Sequence, residues 1–313
     1  GRHMKRYILE RIGYMLVTLF IIVTITFLLM KLLPGTPYGN VDELTDHQIE
    51  LLDKKYGLDK PVAVQYVTYI GNLLKGDLGI SFHFGNRSVN DILAERIGPS
   101  ALIGTQGLIL GIIVGFILGI VSALRHNTFL DYGSVVIAVL GMSIPSFIFA
   151  ALMQYYIGVK LKWLPPALWE GYANTIMPSI ALSVIVMATV ARFIRTEMLE
   201  VLGQDYVLTA RAKGLSHARV VVKHVIRNAL IPVLTMLAPL VVNLLTGSLV
   251  IEKIFAVPGI GEQFTMSVML NDYSVIMGIT IFYSVLFIVV IFIVDLLYGL
   301  LDPRIRLDGG DHS

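Results

Sequence analysis

The chain contains no cysteine, so disulfides, thiolate metal sites and cysteine nucleophiles are excluded, and the compartment has to be read from topology. Charge is scarce as well: Asp, Glu, Lys and Arg make up 15% of 313 residues, and the formal net charge is +2. Such a balance lacks the clustered basic footprint of a nucleic-acid-binding protein. The motifs of soluble phosphate and hydrolase chemistry are missing too, with no GxxxxGK[ST], HExxH or GxSxG in the chain. Seven histidines are present without metal-ligand spacing; His217 and His224 stand seven apart with no carboxylate companion. No Ser/His, Ser/Lys or paired-Asp set lies within the apolar runs, which argues against an intramembrane protease. The chain is expected to be non-catalytic and to bind no metal or cofactor.

What the sequence has in abundance is apolar surface: 56% of residues are hydrophobic and the mean hydropathy is +0.76. A bilayer core needs roughly 20 helical residues to cross it. Six runs meet that length, at 12–33, 101–124, 133–159, 175–194, 229–251 and 274–300. The expected fold class is therefore an all-α polytopic membrane protein with six transmembrane helices. Gly1 to Met4 resemble the remnant of an expression tag, and they are set aside together with Gly309 to Ser313. If the N-terminus is cytoplasmic, thirteen Lys and Arg fall in cytoplasmic segments, against Lys160, Lys162 and Lys253 in the two short outer loops. That asymmetry places both termini in the cytoplasm of a cell-membrane protein.

Residues 34–99 break the apolar pattern and form a small extracytoplasmic insert between the first two spans. The chain thus divides into an N-terminal transmembrane helix (5–33), a helical insert (34–99) and a five-helix core (100–307) that holds a long cytoplasmic loop at 192–228. In the insert, Asp46 is placed to cap a helix carrying Ile49, Leu52 and Tyr56 and ending at Gly57. Pro61 suits the first turn of a second helix that ends near Gly76. A spacer resting on the membrane and a cap over a pore mouth are both compatible with this pattern.

Within the second to fifth runs there is no Asp, Glu, Lys or His, and the one basic residue is Arg192. Proton- or sodium-coupled carriers keep ionisable groups at membrane depth, so a carrier built this way needs energy delivered from outside the membrane. Asp295 in the sixth run is expected to snorkel or to pair with a cytoplasmic Arg. Gly107, Gly111, Gly115 and Gly119 form three successive small-xxx-small steps and are expected to let another helix approach closely. Pro145, Pro178, Pro232 and Pro239 each free a backbone carbonyl that protein or cavity water must satisfy. Pro145 and Asn243 are the candidates for the pathway lining, with interhelical hydrogen bonding as the alternative for Asn243.

The 192–228 loop reads as helix, glycine break and helix, with Gly214 free to take a left-handed backbone and Ser216 placed to cap the second helix. Arg219, Lys223 and Arg227 recur every four residues as a basic stripe, which suits either anionic headgroups or a docking partner. The string Asp205-Tyr206-Val207-Leu208-Thr209-Ala210-Arg211-Ala212-Lys213-Gly214-Leu215 resembles the cytoplasmic EAA loop of binding-protein-dependent ABC importer permeases, in the form of the peptide and nickel branch. Ile251-Glu252-Lys253-Ile254-Phe255-Ala256-Val257-Pro258-Gly259-Ile260-Gly261, Asn271-Asp272-Tyr273 and the tail Leu301-Asp302-Pro303-Arg304-Ile305-Arg306 resemble the same branch, so the likeness spans nearly the whole chain. Tyr56-Gly57-Leu58 and Gly76-Asp77-Leu78-Gly79 make it most similar to the B-type subunits of oligopeptide permeases.

The resemblance implies a type I ABC importer permease fold and half of an oligopeptide translocation pathway. It implies as partners a homologous second permease, two ABC ATPase subunits that hold ATP and magnesium, an extracytoplasmic peptide-binding protein, the peptide and the lipid bilayer. It assigns ATPase coupling to Leu208, Thr209, Ala210, Arg211, Ala212, Lys213, Gly214, Leu215 and Ser216. Phe255, Pro258, Gly259 and Gly261 are expected to form an outer turn, with a gate as the functional alternative. Leu208 stands where the wider family opens the motif with Glu, and Arg227 where it has proline. Dipeptide, nickel-chelate or glutathione import by the same branch, and an ion-coupled secondary carrier, are the competing functions.

Overall fold

Inside hydrocarbon every backbone N–H and C=O must be paired within the segment, and the apolar runs meet that demand as helices. The computed structural model describes residues 1–34, 36–38, 43–203, 212–214, 226–245 and 248–301. Helix α1 (Arg2–Leu32) is followed by α2 (Asp46–Tyr56) and α3 (Val62–Leu74) in the insert. Next come α4 (Val89–Leu124), α5 (Phe129–Ser143) and α6 (Ser146–Met153), the last continued by a π-helical turn over Gln154–Lys160. The remaining helices are α7 (Ile176–Leu202), α8 (Ile226–Leu245), α9 (Leu249–Ile254), α10 (Ile260–Met269) and α11 (Tyr273–Leu301). Among the described residues five segments are long and apolar enough to cross a bilayer, and the bent pair α5–α6, taken as one span, would make six.

Two expectations change, and one helix proves longer than its apolar run. The 133–159 run is not one straight helix: it is broken, with a 100° bend between Ser143 and Ser146. Pro145 has no N–H to continue the ladder, and it holds the preceding Ile144 in an extended conformation (φ −82°, ψ 126°). Helix α4 begins at Val89 and runs unbroken through Pro99, across the point where the composition shift sets the edge of the insert. Finally, α2 is capped by Thr45 and not by Asp46: Thr45 Oγ1 accepts from the Gln48 N–H (3.2 Å), while Gln48 Oε1 accepts from the Thr45 N–H (3.0 Å). Gly57 closes that helix in the left-handed region (φ 74°), as expected.

The insert is fastened to the rest of the molecule. The buried Asp272 carboxylate accepts from Ser81 Oγ and from the Phe82 N–H (3.1 Å). Val89, Ile92 and Leu93 are buried in one cluster with Ile260, Val275 and Ile279. Tyr38, Tyr56 and Phe82 form an aromatic group, in which Tyr38 donates to Asp53 Oδ1 (2.8 Å). Burial first, and then the Asp53 carboxylate, push the Tyr38 phenol above its ordinary range.

Helix α1 is attached differently, with Val23 and Phe27 its buried residues. Arg11 pairs with Asp295 of α11, so this carboxylate has an arginine partner, one of the two outcomes expected for it. Towards its other end Thr24 Oγ1 lies 2.6 Å from the Tyr66 hydroxyl, and Phe27 meets the rings of Tyr66 and Tyr69.

The main core lies along α4 and α7, the most extensive helix pair among the described residues. Ile103, Met177, Val186, Val190, Ile194, Met198, Val233 and Phe255 are buried there.

Candidate functional site

The glycines of α4 set the geometry of that core. A Cβ at Gly107, Gly111, Gly115 or Gly119 would stand 2.9, 2.5, 2.7 or 2.7 Å from the Cβ of Leu182, Val186, Val190 or Ile194. Each clash also involves a backbone carbonyl of α7, so a repacked side chain would not relieve it. Both series advance by four residues in the same direction, so α4 and α7 run parallel with their backbones in contact.

Two serines of α4, Ser100 towards its N-terminal end and Ser122 near its C-terminus, each meet a buried carboxylate from another helix. At the C-terminal end, Ser122 Oγ donates to Asp131 Oδ1 of α5. Arg195 of α7 donates to the same carboxylate through Nε (2.8 Å to Oδ1) and a terminal nitrogen (3.1 Å to Oδ2). The Asn127 N–H adds a bond to Oδ2 at 3.0 Å, and His126 Nδ1 lies 3.1 Å from that oxygen. Asn127 takes a left-handed conformation (φ 62°), which turns its N–H towards the carboxylate. Asp131 is 0% exposed, so these donors replace all of its hydration.

At the N-terminal end, Ser100 Oγ donates to Glu252 Oε1 and accepts from the Ile260 N–H (2.9 Å). Glu252 Oε2 accepts from the Glu262 N–H at 3.0 Å. Gly259 and Gly261 lie against this carboxylate, and a Cβ at Gly261 would come within 2.5 Å of Oε2. The Phe255–Gly261 stretch therefore wraps a buried acid. Phe255, Val257 and Ile260 are themselves buried, Pro258 is partly exposed, and Gln154 Nε2 donates to the Ile254 carbonyl (3.0 Å).

Pro145 and Asn243 are both exposed in the isolated chain, on α6's leading edge and on α8. Asn243 follows Thr235 and Pro239 at intervals of four, and all three are exposed. Of the nine expected coupling residues, Ala212, Lys213 and Gly214 are described; Lys213 and Gly214 are exposed, and Gly214 has φ 82°, the left-handed backbone anticipated for it. Leu208, Thr209, Ala210, Arg211, Leu215 and Ser216 lie outside the described residues. Among the described residues no group of three or more His, Asp or Glu could hold a metal ion.

Reading the sequence missed both carboxylates, although each has a signal. Asp131 stands two residues before one apolar run and Glu252 one residue after another, so neither counted as intramembrane. The helices extend past the apolar runs, α5 beginning at Phe129 and α9 reaching Ile254, and both acids fall inside them. His126, grouped with scattered loop histidines, is drawn into the Asp131 cluster.

Comparison with known proteins then supplies context. The family described as "Binding-protein-dependent transport system inner membrane component" matches residues 107–307, and its N-terminal companion model matches residues 4–97. A dipeptide transport system permease protein of Lactococcus lactis subsp. cremoris is 48% identical, over 97% of this chain and 100% of its own length. The corresponding Bacillus subtilis protein is 47% identical over 97% of this chain and 99% of its own length. An oligopeptide transport system permease protein of Escherichia coli is 39% identical over 97% of this chain and 100% of its own length. Among solved structures, an inward-facing MetNI methionine ABC transporter chain superposes with TM-score 0.53 at 17% identity, covering 70% of this chain and 96% of that one. That likeness concerns the fold alone.

Proposed function

The chain belongs to the family of inner membrane components of binding-protein-dependent transport systems, and from that premise we propose that it is the membrane-spanning half of an ATP-driven peptide importer. It is a non-catalytic permease subunit in the cell membrane. The observation that carries the reading is end-to-end similarity at 48% to a dipeptide permease, joined to a helical fold with five or six candidate spans among the described residues. The identities of 48% and 47% to dipeptide permeases, against 39% to oligopeptide permeases, favour short peptides as cargo over the longer oligopeptides.

In this reading both termini face the cytoplasm, and residues 34–99 form an extracytoplasmic insert on a core at 100–307. A homologous second permease completes the pathway, along which Pro145 and Asn243 present their exposed faces. Two ATPase subunits carry ATP and magnesium and engage Leu208 to Ser216, where the left-handed Gly214 sets the turn of the contact. An extracytoplasmic binding protein delivers the peptide. Affinity purification of the tagged chain, coexpressed with its neighbouring genes, tests the assembly. Recovery of a second permease and two ATPases is expected; recovery of the chain alone, with peptide uptake that survives ATP depletion, would overturn the reading.

A further inference from the structure

We propose that Asp131, held by Arg195 and Ser122, is a positioning residue that makes α5 travel with α4 and α7 when the cytoplasmic segment beyond α7 is displaced; the inference rests on the ATP-driven reading above. Four observations converge on it. First, the glycine contacts leave α4 and α7 no room to slide, so the two helices form one body. Second, α5 turns Leu130, Tyr132, Val136, Ile137 and Leu140 outwards, and meets α7 through small residues such as Gly141, whose Cβ would lie 3.1 Å from the Cβ of Ala188. Beside Arg195 that seam is open, leaving a small gap lined by Leu118, Ser134, Ala138 and Ala191. The gap removes dispersion contact at this level, so the seam beside Arg195 rests on its polar contacts.

Third, the polar attachment at this end is concentrated on one carboxylate. Its donors come from α4 (Ser122), the connecting turn (Asn127) and α7 (Arg195), with His126 Nδ1 beside them. The Arg195 guanidinium engages both oxygens, a geometry that resists rotation as well as separation. Arg195 lies seven residues before Leu202, where α7 ends and the 204–225 segment begins. Fourth, beyond its far end α5 turns by 100° at Ile144 and Pro145, so α6 is a separate segment. A push on α7 therefore reaches α5 through Asp131 and meets a ready-made hinge one helix length away.

The chain has no cysteine of its own, so single labels can be placed cleanly. Spin labels at the exposed positions Tyr132→Cys and Thr196→Cys, in the assembled importer in lipid nanodiscs, measure the α5–α7 separation without disturbing the pair. The separation should be the same in nucleotide-free and vanadate-trapped complexes. A shift larger than the width of the distribution would overturn the inference.

Function supplies the second arm. Asp131→Asn strands the Arg195 charge, so the double variant Asp131→Asn with Arg195→Gln separates folding from transmission. Peptide imported per ATP hydrolysed should fall at least fivefold in the assembled double variant, with ATP hydrolysis within twofold of the unsubstituted complex. A normal ratio would mean that the pair only supports the fold, and would overturn the proposal. If the double variant does not assemble, the label distances alone decide. Failure of the underlying reading shows itself separately, as an unsubstituted complex that has no ATP-dependent uptake.

Discussion

At the C-terminal end of α4, Ser122 donates to a buried aspartate that also faces a guanidinium from α7, whereas at its N-terminal end Ser100 donates to a buried glutamate held by a hydroxyl and backbone N–H groups. The donors at Asp131 come from separate spans. Those around Glu252 come largely from the Phe255–Gly261 turn that folds over it. One end joins separate spans through a guanidinium, while the other is enclosed largely by a single turn. A buried carboxylate is costly unless fully bonded, and the two ends meet that cost with different partners.

The harshest way to break the comparison is to separate α4 from α7. Gly111→Leu drives a side chain into Val186 and the Ser183 carbonyl, and should cost roughly 3 kcal/mol or more. Loss of monodisperse protein after detergent extraction is the expected readout. Next comes Arg195→Ala, which leaves Asp131 buried without its cation. Removing one member of a buried pair costs about 3–5 kcal/mol, and the lower end applies here because the guanidinium is partly exposed. Thermal unfolding followed by tryptophan fluorescence in detergent should show the drop. Milder again is Glu252→Gln, which keeps the shape of a side chain that has no guanidinium to strand but turns one acceptor into a donor; roughly 2 kcal/mol is expected by the same assay. A loss equal to that of Arg195→Ala would erase the distinction between the two ends. The smallest changes are Ser100→Ala and Ser122→Ala, at about 1 kcal/mol each. Ser100→Ala should cost more, because it also leaves the Ile260 N–H without its acceptor.

The spans were legible in the sequence because a bilayer dictates both length and composition, and the glycine stripe because a period of four residues defines one face of a helix. The left-handed Gly214 was legible for a stereochemical reason: a glycine punctuating two helical stretches suits a turn at φ 82°. Pro145 announced a kink but not its size, since 100° depends on what α5 and α6 pack against. The carboxylate clusters were hidden for a different reason. Serines 100 and 122 look like ordinary polar residues in an apolar helix, and the acids they meet are 152 and 9 residues away in the chain. Only the packing of α4 against its neighbours brings them together. Pro99 misled in the opposite direction, marking a boundary in composition where the helix continues.

A passage moved by a separate motor is the central claim, and uptake of a radiolabelled dipeptide into proteoliposomes tests it most directly. Vesicles holding this chain with its second permease, two ATPases and binding protein should accumulate the peptide only with ATP, and an ionophore should leave that accumulation unchanged. Accumulation by this chain alone, driven by an ion gradient, would contradict it.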